Sequence, residues 1–382
     1  MLKKKMAFID LSNFHDWPMG GMLEYELAIL EELVKRFEID IWGVSVDGIK
    51  PAPIKINGKE YNVNVFANVK TKNKIIPNYL RGMFIYGQKK IMKGHYDYYY
   101  AHTASCLVGI GFFEKNAKLI YHQHGLNYLQ DHSLMQSIQR PFYTKAQKDA
   151  DLVFVVSDTK SVKEYESMMK HKHHISAKYV SVRSPIRINN FDALRVQKRI
   201  DSSKNVDLKN FIYTGRLSKF KNAKLLVEVF KEYVKDINPK AKLTIVGSGE
   251  EAEDIEQKIN NYDLKGKVKM LGVVKHDEIY NLLMTSDAFL TASGGEGVSV
   301  SVAEAYAAGL PVVCFNVPGL SGQVVDGVTG KIAFSHTKAG FFDAMKYVND
   351  NHTELALNCM EAAKKYDSEK ISNLITEKIL SL

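Results

Sequence analysis

Ser293 to Val313 reads SGGEGVSVSVAEAYAAGLPVV. Glycines around Glu296 predict a loop, the next residues predict a helix with Glu304 in its first turn, and Pro311 to Phe315 predict a buried strand. A helix start among small residues offers N–H groups without acceptors and a partial positive charge, which suits a phosphate. Glu296 and Glu304 would then meet hydroxyl groups close to that phosphate, and a nucleotide-sugar supplies both features. Each carboxylate also has a plainer reading. Ser301-Val302-Ala303-Glu304 fits a capping box, with Glu304 reaching back to its own helix start. Glu296 among Gly294, Gly295 and Gly297 fits a solvated loop.

Outward from this stretch, short apolar runs alternate with amphipathic ones. Strands are expected at Met6 to Ser12, Ile39 to Val46, Tyr96 to Ala101, Lys118 to His122 and Leu152 to Val156 in the first half. In the second half they are expected at Asn210 to Tyr213, Lys242 to Val246, Val268 to Leu271, Ala288 to Thr291 and Pro311 to Phe315. Helices are expected between them, including one with Leu23, Leu27, Leu30, Leu33 and Val34 on one face, and others over Lys224 to Lys235 and Gly249 to Tyr262. The alternation predicts an α/β fold of two Rossmann-like domains facing each other across a cleft. The polar stretch Arg187 to Val206 reads as the join between them. The expected domains are 1–194, 195–365 and a terminal helix over 366–382.

The 382 residues are 45% hydrophobic and 25% charged, an ordinary globular composition. No run approaches the ~20 apolar residues that span a bilayer, and Met1 to Lys5 leads into a short strand, not a signal-peptide core. A cytoplasmic location is therefore expected. Cys106, Cys314 and Cys359 are widely spaced in apolar or helical surroundings, which predicts reduced packing residues and excludes a disulfide framework. Residues 1–195 hold 28 Lys and Arg against 19 Asp and Glu, which is the whole of the net charge of +9. Nine basic residues and one acidic residue lie between Pro51 and Lys93. Within that excess, Pro77 to Lys93 mixes cations with Tyr, Phe, Ile and Met. It reads equally as a segment that lies on an anionic membrane, giving peripheral contact through 70–93 on the inner face of the cell membrane, or as a core helix with a basic outer face. No base-reading module accompanies the patch, so nucleic acid is excluded as a partner.

Gly215-Arg216-Leu217 follows an expected strand, with Lys221 five positions after Arg216. Such a cationic pair suits a diphosphate, although two solvated cations would look the same. Pro18-Met19-Gly20-Gly21 lies between the first strand and first helix, where bare backbone can approach a diphosphate. No GxGxxG fingerprint stands there, which counts against a dehydrogenase. Tyr121 to Leu126, YHQHGL, ends another expected strand; His102 ends the one before it and reads as structural. Lys170-His171-Lys172-His173-His174 reads as a solvated basic loop, because adjacent histidines with no interleaved Cys or carboxylate rarely converge on one ion. No metal site is expected.

Glu296, Gly297, Glu304-Ala305 and Ala308-Gly309-Leu310-Pro311-Val312-Val313 together resemble the Glu-x7-Glu signature of retaining glycosyltransferases of the GT-B fold, most closely glycosyltransferase family 4. Arg216 and Lys221 resemble the GR-x4-K element of that family, with Asn222 where a glycine is usual, a departure expected to change the turn while keeping both charges. Gly20-Gly21 resembles its N-terminal Gly-Gly loop, and His124-Gly125 its His-Gly that points into the sugar pocket. Gly322, in Pro318 to Gln323, replaces an acid of the family, and no role is carried over to it. The tail from Asp367 resembles the last GT-B helix, which returns to the N-terminal domain.

The resemblance implies a GT-B enzyme that moves a hexose or N-acetylhexosamine from a UDP-sugar to a hydroxyl of a glycan or lipid-linked acceptor, in cell-surface polysaccharide or glycoconjugate synthesis. It implies donor contacts from Gly20, Gly21, Arg216, Lys221, Glu296, Gly297, Val300, Ser301 and Glu304. It implies catalytic roles for Glu296, His124, Arg216 and Lys221, with no cofactor beyond the nucleotide-sugar and no metal. A GT-B-like sugar-nucleotide epimerase or phosphorylase shares the diphosphate groups. A non-catalytic nucleotide-binding subunit is the reading from another class.

Overall fold

In a computed structural model, the residues described are 3–15, 21–71, 85–126, 134–204 and 206–382. Gly20 and most of the basic patch, 72–84, lie outside them. The chain divides into two compact units. Met1–Pro185 with Ser368–Leu382 form the first and Ile186–Asp367 the second. The segment 186–194 thus lies with the second unit.

In the first unit the elements run β1 (Lys5–Ile9), α1 (Gly21–Arg36), β2 (Glu38–Val46), β3 (Ile54–Ile56), β4 (Lys59–Tyr61), β5 (Val63–Val69), α2 (Ile85–Met92) and β6 (Tyr98–Ala101). They continue through α3 (Ala104–Phe113), β7 (Lys118–Gln123), α4 (Leu134–Asp149), β8 (Leu152–Val156), α5 (Thr159–His173) and β9 (Lys178–Val182). Seven strands form a parallel sheet in the order β5-β2-β1-β6-β7-β8-β9, with β3–β4 as a separate hairpin. YYYA of β6 and LVFVV of β8 are buried at every position, as strands covered on both faces must be.

The buried stripe of α1 is Tyr25, Glu26, Ala28, Ile29, Leu30 and Leu33, so the helix turns one acid into the core where a leucine face was expected. In α2, Gly87, Gln88 and Ile91 are buried while Lys89 and Lys90 are exposed. A Cβ on Gly87 would lie 2.3 Å from the Phe66 carbonyl oxygen, so the glycine is what lets α2 close onto β5. This described part of the basic patch is a core helix with a basic outer face. Lys170 to His174 is not a loop, since all but His174 belong to the last turn of α5. Cations there suit the negative end of the helix dipole.

The second unit contains α6 (Ala193–Ser202), β10 (Asn210–Thr214), α7 (Ala223–Asp236), β11 (Lys242–Val246), α8 (Ala252–Asn261), β12 (Val268–Gly272) and α9 (His276–Met284). It continues with β13 (Ala288–Thr291), α10 (Val300–Ala307), β14 (Val312–Phe315), α11 (Leu320–Gln323), β15 (Gly330–Ala333) and α12 (Lys338–Ala363). The parallel order is β12-β11-β10-β13-β14-β15. The supposed polar join is a helix, α6, because Asp192 caps it and Val196 and Ile200, one turn apart, are buried. The Ile186 N–H donates to the Tyr366 carbonyl at 2.7 Å and brings the ends of the unit together. The last helix, α13 (Ser368–Leu380), belongs to the first unit, where Ser372 Oγ donates to the Ala28 carbonyl of α1. The three cysteines are buried and unbonded to one another.

Apart from the hairpin, both sheets share one order of connection. The first reverses between β1 and β6, the second between β10 and β13. Ligands of doubly wound sheets bind outside the carboxyl ends of strands at such a reversal.

Candidate functional site

In the second unit the loops after β10 and β13 flank the reversal, and they carry Arg216, Lys221 and Glu296. Backbone contacts fix the first loop. Gly215 N–H donates to the Val246 carbonyl at 3.0 Å, Leu217 N–H donates to that of Ser248 at 2.9 Å, and the Tyr213 hydroxyl donates to that of Arg216 at 2.9 Å. A Cβ on Gly247 would stand 1.9 Å from the Gly215 oxygen and one on Gly249 2.2 Å from that of Leu217, so these two positions can lie here only as glycine. Asn222 precedes α7 at φ +50, the left-handed conformation that glycine takes at no cost and asparagine tolerates. The departure from Lys-Gly therefore keeps the turn.

The second loop is held from two sides. Gly294 N–H donates to the Phe220 carbonyl at 2.8 Å and Glu296 N–H to that of Pro318 at 3.0 Å. Gly319, at φ +82, passes so close that a Cβ would lie 2.1 Å from the Glu296 oxygen. Lys221 Nζ donates to Glu296 Oε1, an ion pair with side chains 27% and 15% exposed. Two residues assigned separately to phosphate and sugar thus neutralise each other here. Burial, then the charges of Glu296 and Glu251, push the Tyr213 hydroxyl up.

The capping box does not form. Ser299 is the N-cap of α10 and accepts from Val302 N–H, while the Gln323 amide exchanges two 2.9 Å hydrogen bonds with the Ser299 backbone. Glu304 therefore falls in the second turn, and its carboxylate, 6% exposed, lies 2.8 Å from His276 Nε2 at the start of α9. The N–H groups of Val300 and Ser301 lie in the first turn, where no intrahelical acceptor exists. Phe220, Gln323 and His276 were not singled out in the sequence. Their partners stand 24 to 74 positions away in the chain, beyond any local pattern.

Gly21 and His124 belong to the first unit, Gly21 opening α1 and His124 following β7. The His124 ring stacks on His122, which stacks on His102, with centroids 5.1 and 4.6 Å apart. His102 Nδ1 lies 3.0 Å from His124 Nε2. Burial holds the His124 imidazole down, at about 4, so it is neutral near pH 7. His122 and Glu26 are further members of this group that the sequence reading passed over. Among the described residues, Glu26, His102 and His124 are the side chains grouped closely enough to share an ion.

Residues 195–366 match the family of glycosyl transferases group 1. An uncharacterized glycosyltransferase of Methanocaldococcus jannaschii is 24% identical over 344 residues, covering 86% of this chain and 85% of its own. N-acetyl-alpha-D-glucosaminyl L-malate synthase of Bacillus anthracis is 27% identical over 230 residues, 59% of this chain and 58% of its own. Among solved structures, HepE of Anabaena in complex with UDP has a TM-score of 0.73 at 19% identity, covering 99% of this chain and 100% of that one. Sucrose-phosphate synthase of Thermosynechococcus elongatus has a TM-score of 0.77 at 16% identity over 99% of both chains. These likenesses show the GT-B fold and support a glycosyltransferase. No helix among the described residues is long and apolar enough to cross a membrane.

Proposed function

We propose that this protein is a retaining glycosyltransferase of family 4 that moves a hexose or N-acetylhexosamine from a UDP-sugar to a hydroxyl of a glycan or lipid-linked acceptor. The observation that carries this reading is the gathering of Arg216, Lys221, Glu296 and the first turn of α10 at the reversal of the second sheet. The UDP bound to HepE and the N-acetylglucosaminyl chemistry in the name of the B. anthracis relative support the donor class.

The hard step is departure of the diphosphate from a sugar with oxocarbenium character, so fixed charge and N–H donors aimed at the leaving group matter most. Arg216 forks across two phosphate oxygens, Lys221 adds a point charge, and the Val300 and Ser301 N–H groups supply further donors. Positive charge on the diphosphate thus comes from side chains and backbone, without a metal ion. Lys221 is paired with Glu296 before the donor arrives, so the diphosphate competes for it and releases the carboxylate toward the sugar hydroxyls. Glu304, braced by His276, takes the ribose hydroxyls. His124 keeps the sugar contact that the family resemblance implies, and Gly20 and Gly21 the diphosphate contact. Attack on the leaving-group face, with a phosphate oxygen accepting the acceptor's proton, retains the anomeric configuration. An acceptor on a lipid carrier would place the work in the cytoplasm or at the inner face of the membrane, where Lys89 and Lys90 on α2 meet anionic headgroups.

The purified protein is incubated with UDP-glucose, UDP-galactose, UDP-N-acetylglucosamine or GDP-mannose, with and without a membrane-glycan extract. Nucleoside diphosphate release that depends on one donor and rises with extract is expected. Silence with every donor, together with no UDP binding, overturns the reading. Glu296→Ala should lower turnover by about 100-fold or more while UDP still binds, since a charge partner is lost from the transition state.

A further inference from the structure

The turn that carries His124 is closed by the residues on either side of it. Gly125 N–H donates to the Gln123 carbonyl at 3.1 Å, and the Gln123 side-chain amide donates in return to the Gly125 carbonyl at 2.9 Å. Gly125 stands at φ +90, a conformation that glycine adopts without the cost a side chain would bring. Gln123 is buried at the end of β7, so its remaining polar atom also requires a partner inside the unit. That partner comes from α4, where Gln147 Nε2 lies 3.2 Å from Gln123 Oε1.

Gln147 is fully buried and ties α4 to two further elements. Its Oε1 accepts from the Tyr179 hydroxyl of β9 at 2.6 Å and from the Tyr165 hydroxyl of α5 at 3.0 Å, and its Nε2 lies 2.8 Å from that of Tyr165. The direction of this chain is set at one end. A carbonyl can only accept, so Gly125 requires the NH2 group of Gln123, and this turns Gln123 Oε1 toward the NH2 group of Gln147. Gln147 Oε1 is thereby left to the two hydroxyls, which can donate. Reversing the Gln123 amide would set acceptor against acceptor at Gly125 and donor against donor at Gln147, a cost that buried groups cannot pass to water.

We propose that Gln147 is a positioning residue for the donor sugar, a role that rests on reading His124 as a sugar contact. Gln147 orients the Gln123 amide, Gln123 holds the Gly125 carbonyl, and the turn so closed sets where the His124 side chain leaves the backbone. Stacking on His122 then sets the plane of the ring. Being fully buried, Gln147 acts through Gln123 and meets no substrate itself.

Affinities of the full-length protein for UDP, UDP-glucose, UDP-galactose and UDP-N-acetylglucosamine are measured by calorimetry, and the ratio of each UDP-sugar affinity to that of UDP is read. UDP carries no sugar, so a displaced turn lowers the ratio and leaves UDP affinity as it was. Gln147→Met is close in length but cannot donate to Gln123, and it should lower the ratio about 10-fold for the donor that binds best. Gln123→Met should lower it as much and the double variant no further, because the two residues act in one chain. Tyr96→Phe is the comparison. It takes a buried hydrogen bond from the same unit, where Trp42 Nε1 donates to the Tyr96 hydroxyl at 2.9 Å, and should lower the unfolding temperature with the ratio unchanged. A parental ratio in Gln147→Met overturns the proposal, as do losses that add in the double variant. Should Gln147→Met fail to fold, Tyr179→Phe frees the Gln147 carbonyl from its shortest bond and should lower the ratio about 3-fold, and an unchanged ratio there also overturns the proposal. No UDP binding by the parent overturns the glycosyltransferase reading and this role with it, whereas UDP binding with unchanged ratios in the variants overturns this role alone.

Discussion

The two sheets reverse in the same topological way, yet the strand ends at each reversal hold opposite chemistry. After β10 and β13 stand glycines, a guanidinium, an ammonium and a carboxylate with part of each charged side chain in solvent. After β1, β6 and β7 stand acids and imidazoles that are buried or nearly so, with tyrosines packed against the rings. The fold decides where a ligand can approach; the side chains decide what approaches. Burial separates the two regions electrostatically as well. It pushes the Glu26 carboxyl well up, with the Asp10 carboxyl beside it adding to the shift, and the His102 imidazole well down, so both charged forms are disfavoured.

The largest expected break of this contrast is Arg216→Ala. If the second reversal is the diphosphate site, the variant loses about 100- to 1,000-fold in kcat/KM and binds UDP weakly, with thermal stability unchanged. Calorimetric UDP binding and donor turnover check it. Unchanged UDP affinity would remove the functional difference between the two reversals and leave the cationic loop a solvated surface.

Next comes Gly319→Ala, which tests whether the carboxylate loop depends on its backbone support. The added Cβ would meet the Glu296 oxygen at 2.1 Å and that of Gly297 at 2.4 Å, at a φ of +82 that side chains avoid. A stability loss of about 2 to 3 kcal/mol is expected, read from urea unfolding, together with reduced turnover as Glu296 shifts. Gly266→Ala serves as the comparison, since it has φ +80 but nothing within 4 Å of the added Cβ. It should cost less, about 1 kcal/mol. Equal losses would mean that the left-handed conformation, not the close approach, sets the cost.

How far these features were legible in the sequence follows from the range of the forces involved. Parallel strands covered on both faces are largely apolar runs, so LVFVV at Leu152–Val156 and AFLT at Ala288–Thr291 could be read with their bounds. KYVSV of β9 and GKIA of β15 are short edge strands without that signature, and both were missed. α6 was taken for a linker because its exterior is polar, and only its two buried residues mark a helix. At the candidate site, the loop, helix and strand of the Ser293 to Val313 run could be read in order, because each is a local pattern of consecutive residues. The capping box failed because Ser299, two residues earlier, claims the N-cap. Glu26 was unreadable for a different reason. A glutamate on a leucine-rich helix is assigned to solvent by pattern, and the groups that meet it inside, Asp10 and His102, come from strand ends far from it in the chain or on another element.

The smallest of these tests concerns the contact that sets Glu304 apart from the buried acids of the first unit. Glu304 is nearly covered, like Glu26, but His276 Nε2 stands 2.8 Å from it. His276→Ala leaves the carboxylate without that partner, and a covered acceptor that loses a charged or neutral donor costs about 1 to 3 kcal/mol. Part of the loss should appear as weaker UDP binding, about 10-fold, since a carboxylate that is no longer held in one orientation meets the ribose hydroxyls less often. His276→Gln restores a donor and should recover most of the affinity. If both variants bind UDP as the parent does while Glu304→Ala does not, His276 serves the stability of the α9 start alone, and Glu304 finds its orientation from α10. If none of the three changes UDP binding, Glu304 is a structural acid like those at the first reversal, and the contrast between the two reversals rests on Arg216, Lys221 and Glu296.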